Sequence, residues 1–180
     1  MKNILLLLVM LNLATPSSLF EFDTNADLES WRIVNDGVMG GLSDSQVKWN
    51  EENGTLEFSG NVSLENNGGF ASTRTAPQQF KHSDFKTIHL RVKGDGQTYK
   101  FRMRSSDNFD GISYSKNFKT KKDEWVEIEM PVADFEATFR GRIFPKHPQL
   151  KTEDLRQIGF LIADKQKGKF HLEVDWIRVE

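Results

Sequence analysis

From Leu19 onward, apolar and polar residues alternate along the chain with a period of two. Leu56 and Phe58 alternate with Glu57 and Ser59, and Ile88, Leu90 and Val92 with His89 and Arg91. Tyr99, Phe101 and Met103 alternate with Lys100 and Arg102; Val126, Ile128 and Met130 with Glu127 and Glu129; Phe170, Leu172 and Val174 with His171 and Glu173. Successive side chains of a strand point to opposite faces, so each run predicts an antiparallel strand with one face on a core and the other in water. Residues 158–163 are more continuously apolar, which predicts a strand at the middle of the sandwich. Near the end of the chain the parity changes. Phe170 to Trp176 keep one phase, Ile177 and Val179 the other, and a bulge at Asp175 and Trp176 would re-phase the strand, as would an edge strand swapping between sheets.

Turn signals separate these runs: Asn53-Gly54, Asn67-Gly68-Gly69, Asp95-Gly96 and Asp110-Gly111. Such pairs supply the positive φ values that tight turns require. Lys93-Gly94-Asp95-Gly96 joins two alternating runs and predicts a hairpin. Helical signal is confined to short turns at residues 132–138 and 152–157, the second with Thr152 as its cap. Many short strands with regular turns predict an all-β sandwich or barrel.

Composition narrows the function classes. A chain of 180 residues suits one domain with a sizeable core. It contains no cysteine, which excludes thiol catalysis, thiolate zinc and iron–sulfur ligation. A net charge of −2 gives no basic footprint for nucleic acid. The first residues differ from the rest: Lys2, an apolar run over residues 4–13, then Ala14, Thr15, Pro16, Ser17 and Ser18. This reads as a signal peptide over residues 1–18 preceding one domain at 19–180, hence an exported, periplasmic or extracellular protein. The alternative is a cytoplasmic or membrane-associated one if the leader stays. The run is too short for a transmembrane anchor.

Candidate chemistry is concentrated in loops. Asn35-Asp36-Gly37-Val38-Met39-Gly40-Gly41-Leu42-Ser43 is the densest signal; it lacks the Lys-Ser/Thr of a phosphate loop, and an ordered loop with close backbone approach is the simpler reading. Asn66-Asn67-Gly68-Gly69-Phe70 is a second glycine-rich turn. Arg140-Gly141-Arg142 offers two guanidinium groups for an anion, or an internal partner for Arg140 in Asp36 or Asp134. The four histidines show no zinc spacing, and no Gly-x-Ser-x-Gly elbow is present. Most acids fall on outward positions, so a hydrolytic carboxylate pair is the weakest reading. No catalytic residue, metal or cofactor is expected.

At these blocks the chain resembles the complex I intermediate-associated protein 30 family. The resemblance rests on Trp31 through Ser43, Glu65-Asn66-Asn67-Gly68-Gly69-Phe70-Ala71-Ser72-x-Arg74, and Val92 through Gly96 with Tyr99. It continues through Trp125 to Pro131, Asp134-Phe135, Phe139 to Arg142, Ile158 to Lys165, and Gly168 to Ile177. It implies a galactose-binding-domain-like jelly-roll β-sandwich and a non-enzymatic, chaperone- or assembly-factor-like role. The expected partner is a protein, such as a membrane or envelope complex. The alternative is an exported carbohydrate-binding module in which exposed aromatics such as Trp49 and Tyr114 stack on sugar rings. The positions expected to meet a ligand or partner are Asn35, Asp36, Met39, Ser43, Asn66, Asn67, Arg140, Arg142 and Asp164.

Overall fold

A computed structural model of the chain describes residues 15–22, 28–82 and 84–180. The strands are β1 (Ser17–Glu21), β2 (Trp31–Ile33), β3 (Asp44–Asn50), β4 (Thr55–Val62), β5 (Ala71–Thr75), β6 (Thr87–Gly94) and β7 (Thr98–Arg104). They continue with β8 (Ser113–Lys119), β9 (Trp125–Pro131), β10 (Glu136–Phe139), β11 (Arg142–Ile143), β12 (Gln157–Ile162) and β13 (Gly168–Val179). One sheet has the order β3-β4-β13-β6-β9, with β1 also pairing β13; the other runs β11-β10-β8-β7-β12-β5-β2. Every strand pairing is antiparallel. The two sheets face each other across one apolar core, a jelly-roll sandwich.

The alternating runs become half-buried strands as expected. In β6 and β7 every second residue is buried, and β12 lies between β7 and β5 with most of its residues buried. Phe160 of β12 sits at the centre of an aromatic cluster: Trp31 stacks on it at 6.0 Å, and Phe101 and Phe118 meet it edge-on at 5.5 and 6.3 Å. Removing a ring of this kind costs about 3–5 kcal/mol. The bulge expected in the last strand is present: β13 shifts register against β6 between Val174 and Trp176. This lets Phe170, Leu172, Val174, Ile177 and Val179 all enter the core.

Two local expectations are corrected. Residues 93–96 do not form a hairpin, because β6 and β7 belong to different sheets. The segment is a corner, held by the Asp95 carboxylate. That group accepts hydrogen bonds from the Tyr99 hydroxyl at 3.1 Å, the Gln97 amide at 3.0 Å and the His171 amide at 2.9 Å. Gly94 lies against the Thr120 side chain, where a Cβ would meet Thr120 Oγ1 at 2.6 Å. The second correction concerns Thr152, which begins a 3-10 turn over Thr152–Asp154 but does not cap it. Its hydroxyl donates to the Phe85 carbonyl at 3.3 Å instead. Residues 132–138 form one 3-10 turn, Val132–Asp134, and then enter β10.

Most of the leader falls outside the described residues. Its last two positions, Ser17 and Ser18, are the start of β1, opposite Val179 and Arg178. No helix among the described residues is long and apolar enough to cross a membrane.

Candidate functional site

The glycine-rich segment after β2 is organised by one carboxylate. Trp31 fixes its base, buried against Phe160, Phe20 and Phe22. The chain then enters a 3-10 turn, Asp36–Met39, which closes at Gly40 in the left-handed region (φ 91). Asp36 is fully buried. Its Oδ1 accepts from the Ser43 amide at 3.0 Å. Its Oδ2 accepts from the Ser43 hydroxyl at 2.6 Å and from the amides of Gly69 and Phe70 at 2.7 and 3.2 Å. One side chain thus ties the first glycine loop to the second. Gly41 and Gly68 are glycine for its sake: a Cβ on either would sit 2.3 Å from Asp36 Cγ or 2.6 Å from Oδ2. Burial pushes the Asp36 carboxyl upward, but the bonds from Ser43, Gly69 and Phe70 outweigh it and hold the group below its ordinary 3.8.

Asn35 works in the same way. Its Oδ1 accepts from the Ser45 hydroxyl at 2.8 Å and the Ser72 amide at 3.2 Å. Asn35, Asp36 and Ser43 therefore have inward-facing partners and act as a clamp between loops. Asn66 and Asn67 are exposed on the second loop and take positive φ values of 52 and 58.

The clamp borders a groove of about 1150 Å³ on the outer face of the seven-stranded sheet. Val38 and Met39 stand at its edge, more than half exposed, with Phe109 on another loop and Ile143 on β11. The floor follows from strand register. Gly159 lies directly opposite Arg74 on one side and Arg102 on the other, and Arg102 in turn lies opposite Ser115. Arg104, two residues along β7, shares the outward face with Arg102 and lies opposite Gln157. Three guanidinium groups thus converge from β5 and β7. Their hydrogen bonds within the protein go to neutral oxygens: Arg74 to the Phe109 carbonyl, Arg102 to the Ser113 hydroxyl at 2.6 Å, and Arg104 to the Gly111 carbonyl. Burial, together with the charges of Arg104 and Arg74, pushes Arg102 down to about 9. Burial and Arg74 push Arg104 to about 10.

The remaining sequence-expected residues lie at the groove's rim or beyond it. Arg140 pairs with Asp110 at 2.6 Å, not with Asp36 or Asp134; Asp134 pairs with Lys116 at 3.2 Å. Asp164 pairs with Lys100 at 2.9 Å across the other end. Arg142 is exposed on β11. The sugar-stacking aromatics are not in this groove. Tyr114 is buried, with its hydroxyl on the Pro148 carbonyl, and Trp49 is half-buried opposite Leu56 on the core-facing side. Arg74, Arg102 and Arg104 are not among the residues expected to bind. Their signal is the alternating Lys100-x-Arg102-x-Arg104, a single-sign stripe that is indistinguishable from an ordinary wet strand face until the sheet is assembled.

On the outer face of the other sheet, Glu57, His171 and Glu173 bring ligand atoms within 4.8 Å of one another. Linear spacing does not reveal this group. The two glutamates belong to a cross-strand row, Lys48-Glu57-Glu173-Lys93, and Lys93 Nζ pairs with Glu173 at 2.6 Å.

The two-sheet antiparallel sandwich is a jelly roll of the galactose-binding-like kind. Residues 20–174 match the complex I intermediate-associated protein 30 family, and the chain belongs to that family. It is 27% identical to "Complex I intermediate-associated protein 30, mitochondrial" of Mus musculus, over 89% of this chain and 55% of that protein. It is 30% identical to the probable counterpart of Caenorhabditis elegans, over 89% of this chain and 53% of that protein. The chain thus spans about half the length of these relatives. Among solved structures, a family 11 carbohydrate-binding module from Clostridium thermocellum, in complex with a mixed-linked tetrasaccharide, has the same fold. The TM-score is 0.65 at 18% identity, covering 92% of this chain and 96% of the module.

Proposed function

We propose that this protein is a non-enzymatic docking module that binds a protein partner in the groove of its seven-stranded sheet, in the manner of an assembly factor. The observation that carries the reading is the ring of exposed apolar side chains around that groove. Val38 is 63% exposed, Met39 59%, Phe109 63% and Ile143 53%, and all four line it. Exposed apolar side chains gathered round a groove mark a surface that binds a partner or ligand. The Asp36 clamp fixes two of them in place. The family membership agrees with a protein partner, since the related proteins are named for association with a complex I intermediate. We read the N-terminal segment, residues 1–18, as an export leader, which would make that partner an envelope or extracellular protein.

A photoreactive residue in place of Met39 or Phe109 tests this directly. The expected result is one dominant crosslinked protein, lost from the probe at Phe109 in the double variant Val38→Asp, Met39→Asp. The same probe at Lys48, on the outer face of the other sheet, should give none. No protein crosslink at the rim, together with saturable binding on a glycan panel, would overturn the reading and assign the groove to carbohydrate.

A further inference from the structure

The floor of the groove carries three guanidinium groups that no salt bridge among the described residues neutralises. We propose that Arg74, Arg102 and Arg104 form an anion-binding trough that receives carboxylate side chains from an acidic segment of a partner protein. This rests on the reading of the groove as a protein-docking face and adds the chemistry of what docks there.

Placement comes first. Arg74 and Arg102 flank Gly159 at one register position of three adjacent strands. Two inter-strand spacings put their Cα atoms about 10 Å apart. Glycine leaves the space between them without a side chain, so the two guanidinium groups border an open channel over the backbone. A Cβ at Gly159 would sit 2.2 Å from the Thr73 carbonyl. Arg104 borders the same channel one step along β7, and Arg32 lies opposite Arg74 at the sheet's edge.

Charge balance comes second. Three acids that line the groove have their own cations: Asp110 with Arg140, Asp134 with Lys116, and Asp164 with Lys100. None of these pairs includes Arg74, Arg102 or Arg104: Asp110, held by Arg140, acts on Arg74 and Arg104 only through space, and no carboxylate is in ion-pair contact with the three among the described residues. Glu136 faces the same way but lies opposite Ser115, two strands from Arg102. Burying like charges side by side works against folding, and such arrangements concentrate where a ligand of opposite charge completes them.

Chemistry comes third. Each guanidinium carries five N–H donors in a planar fork that matches a carboxylate. Here each spends only one or two donors, on neutral oxygens. The rim above is apolar, so the complementary segment mixes acidic with apolar side chains. That combination favours a polypeptide over a uniformly charged polymer.

The test is fluorescence anisotropy with a short labelled peptide of alternating Glu and Leu, titrated into the full chain. Its Gln/Leu counterpart, polygalacturonate and inorganic phosphate serve as comparators. The Glu/Leu peptide should bind saturably, and more weakly as salt rises toward the physiological range. R102Q and R104Q should each weaken binding about tenfold, a charge-assisted contact apiece. Both variants should melt no lower than the parent, because repulsion is relieved; a merely structural arginine would melt lower. Should R102Q fail to fold, R74Q and R104Q carry the comparison. Equal binding of the Gln/Leu peptide, unchanged affinity in the arginine variants, or binding of polygalacturonate or phosphate without the peptide would each overturn the trough. If the rim variant of Val38 and Met39 loses its crosslinked partner while R102Q keeps it, the docking face stands and the trough falls. If neither crosslinking nor peptide binding occurs, both fall.

Discussion

At the scale of single residues, Asp36 has the clearest consequences. Its two oxygens take four hydrogen bonds from two loops. Removing it leaves the amides of Ser43, Gly69 and Phe70 without their acceptor, which costs about 1–3 kcal/mol for a buried donor left unsatisfied. Asp36→Asn keeps the shape but loses the charge and presents an amide to donors, so a smaller loss is expected. The pH dependence has a definite sign. The native carboxyl ionises below its ordinary 3.8, so its contribution is present above that value and lost as pH falls through the lower native one. Denaturant titrations at pH 7 and in the acid range should show the parent losing stability below about pH 4 while Asp36→Asn loses less over the same interval. Equal acid sensitivity in the two proteins would remove Asp36 from the account.

At the scale of elements, much of the fold is legible in the sequence because strand periodicity is a local property. The alternation in β6, β7 and β13 and the phase change at Trp176 are written in consecutive residues, and the structure follows them. Which strands pair is not local. Lys93-Gly94-Asp95-Gly96 carries a turn signature, and the sequence contains nothing to distinguish a hairpin from a corner between sheets. That choice is made by Asp95 reaching His171 and Tyr99 from β13 and β7. The loop signature was legible as a close-packed segment, and its glycines are indeed packed on Asp36. The arginine floor was not, since Arg74 and Arg102 meet only after β12 inserts between β5 and β7. β1 adds a constraint on processing. Ser17 and Ser18 pair with Val179 and Arg178, so cleavage after residue 18 would cost the sheet two ladder positions. N-terminal sequencing of the mature protein should give a start at or before Ser17. A start beyond Ser18 would mean that β1 is shorter in the mature protein.

At the scale of the whole molecule, the two sheets have different outer faces. The β4–β13 face carries the row Lys48-Glu57-Glu173-Lys93, two adjacent glutamates flanked by lysines, with Lys93 and Arg91 over the Trp125 ring. The Lys93–Glu173 pair at 2.6 Å stabilises the sheet, while the directly opposed Glu57 and Glu173 work against it. The β5–β12–β7 face is unlike it: a cationic floor, acids held at the rim, and apolar side chains above. The central claim is that this face, and not the other, meets the partner. Amide hydrogen exchange, measured on the chain alone and in complex with the crosslink-identified partner, tests it most directly. The account predicts slowed exchange in the loops over residues 36–43, 105–112 and 139–144. Protection confined instead to residues 51–54, the β3–β4 turn of the other sheet, would contradict it.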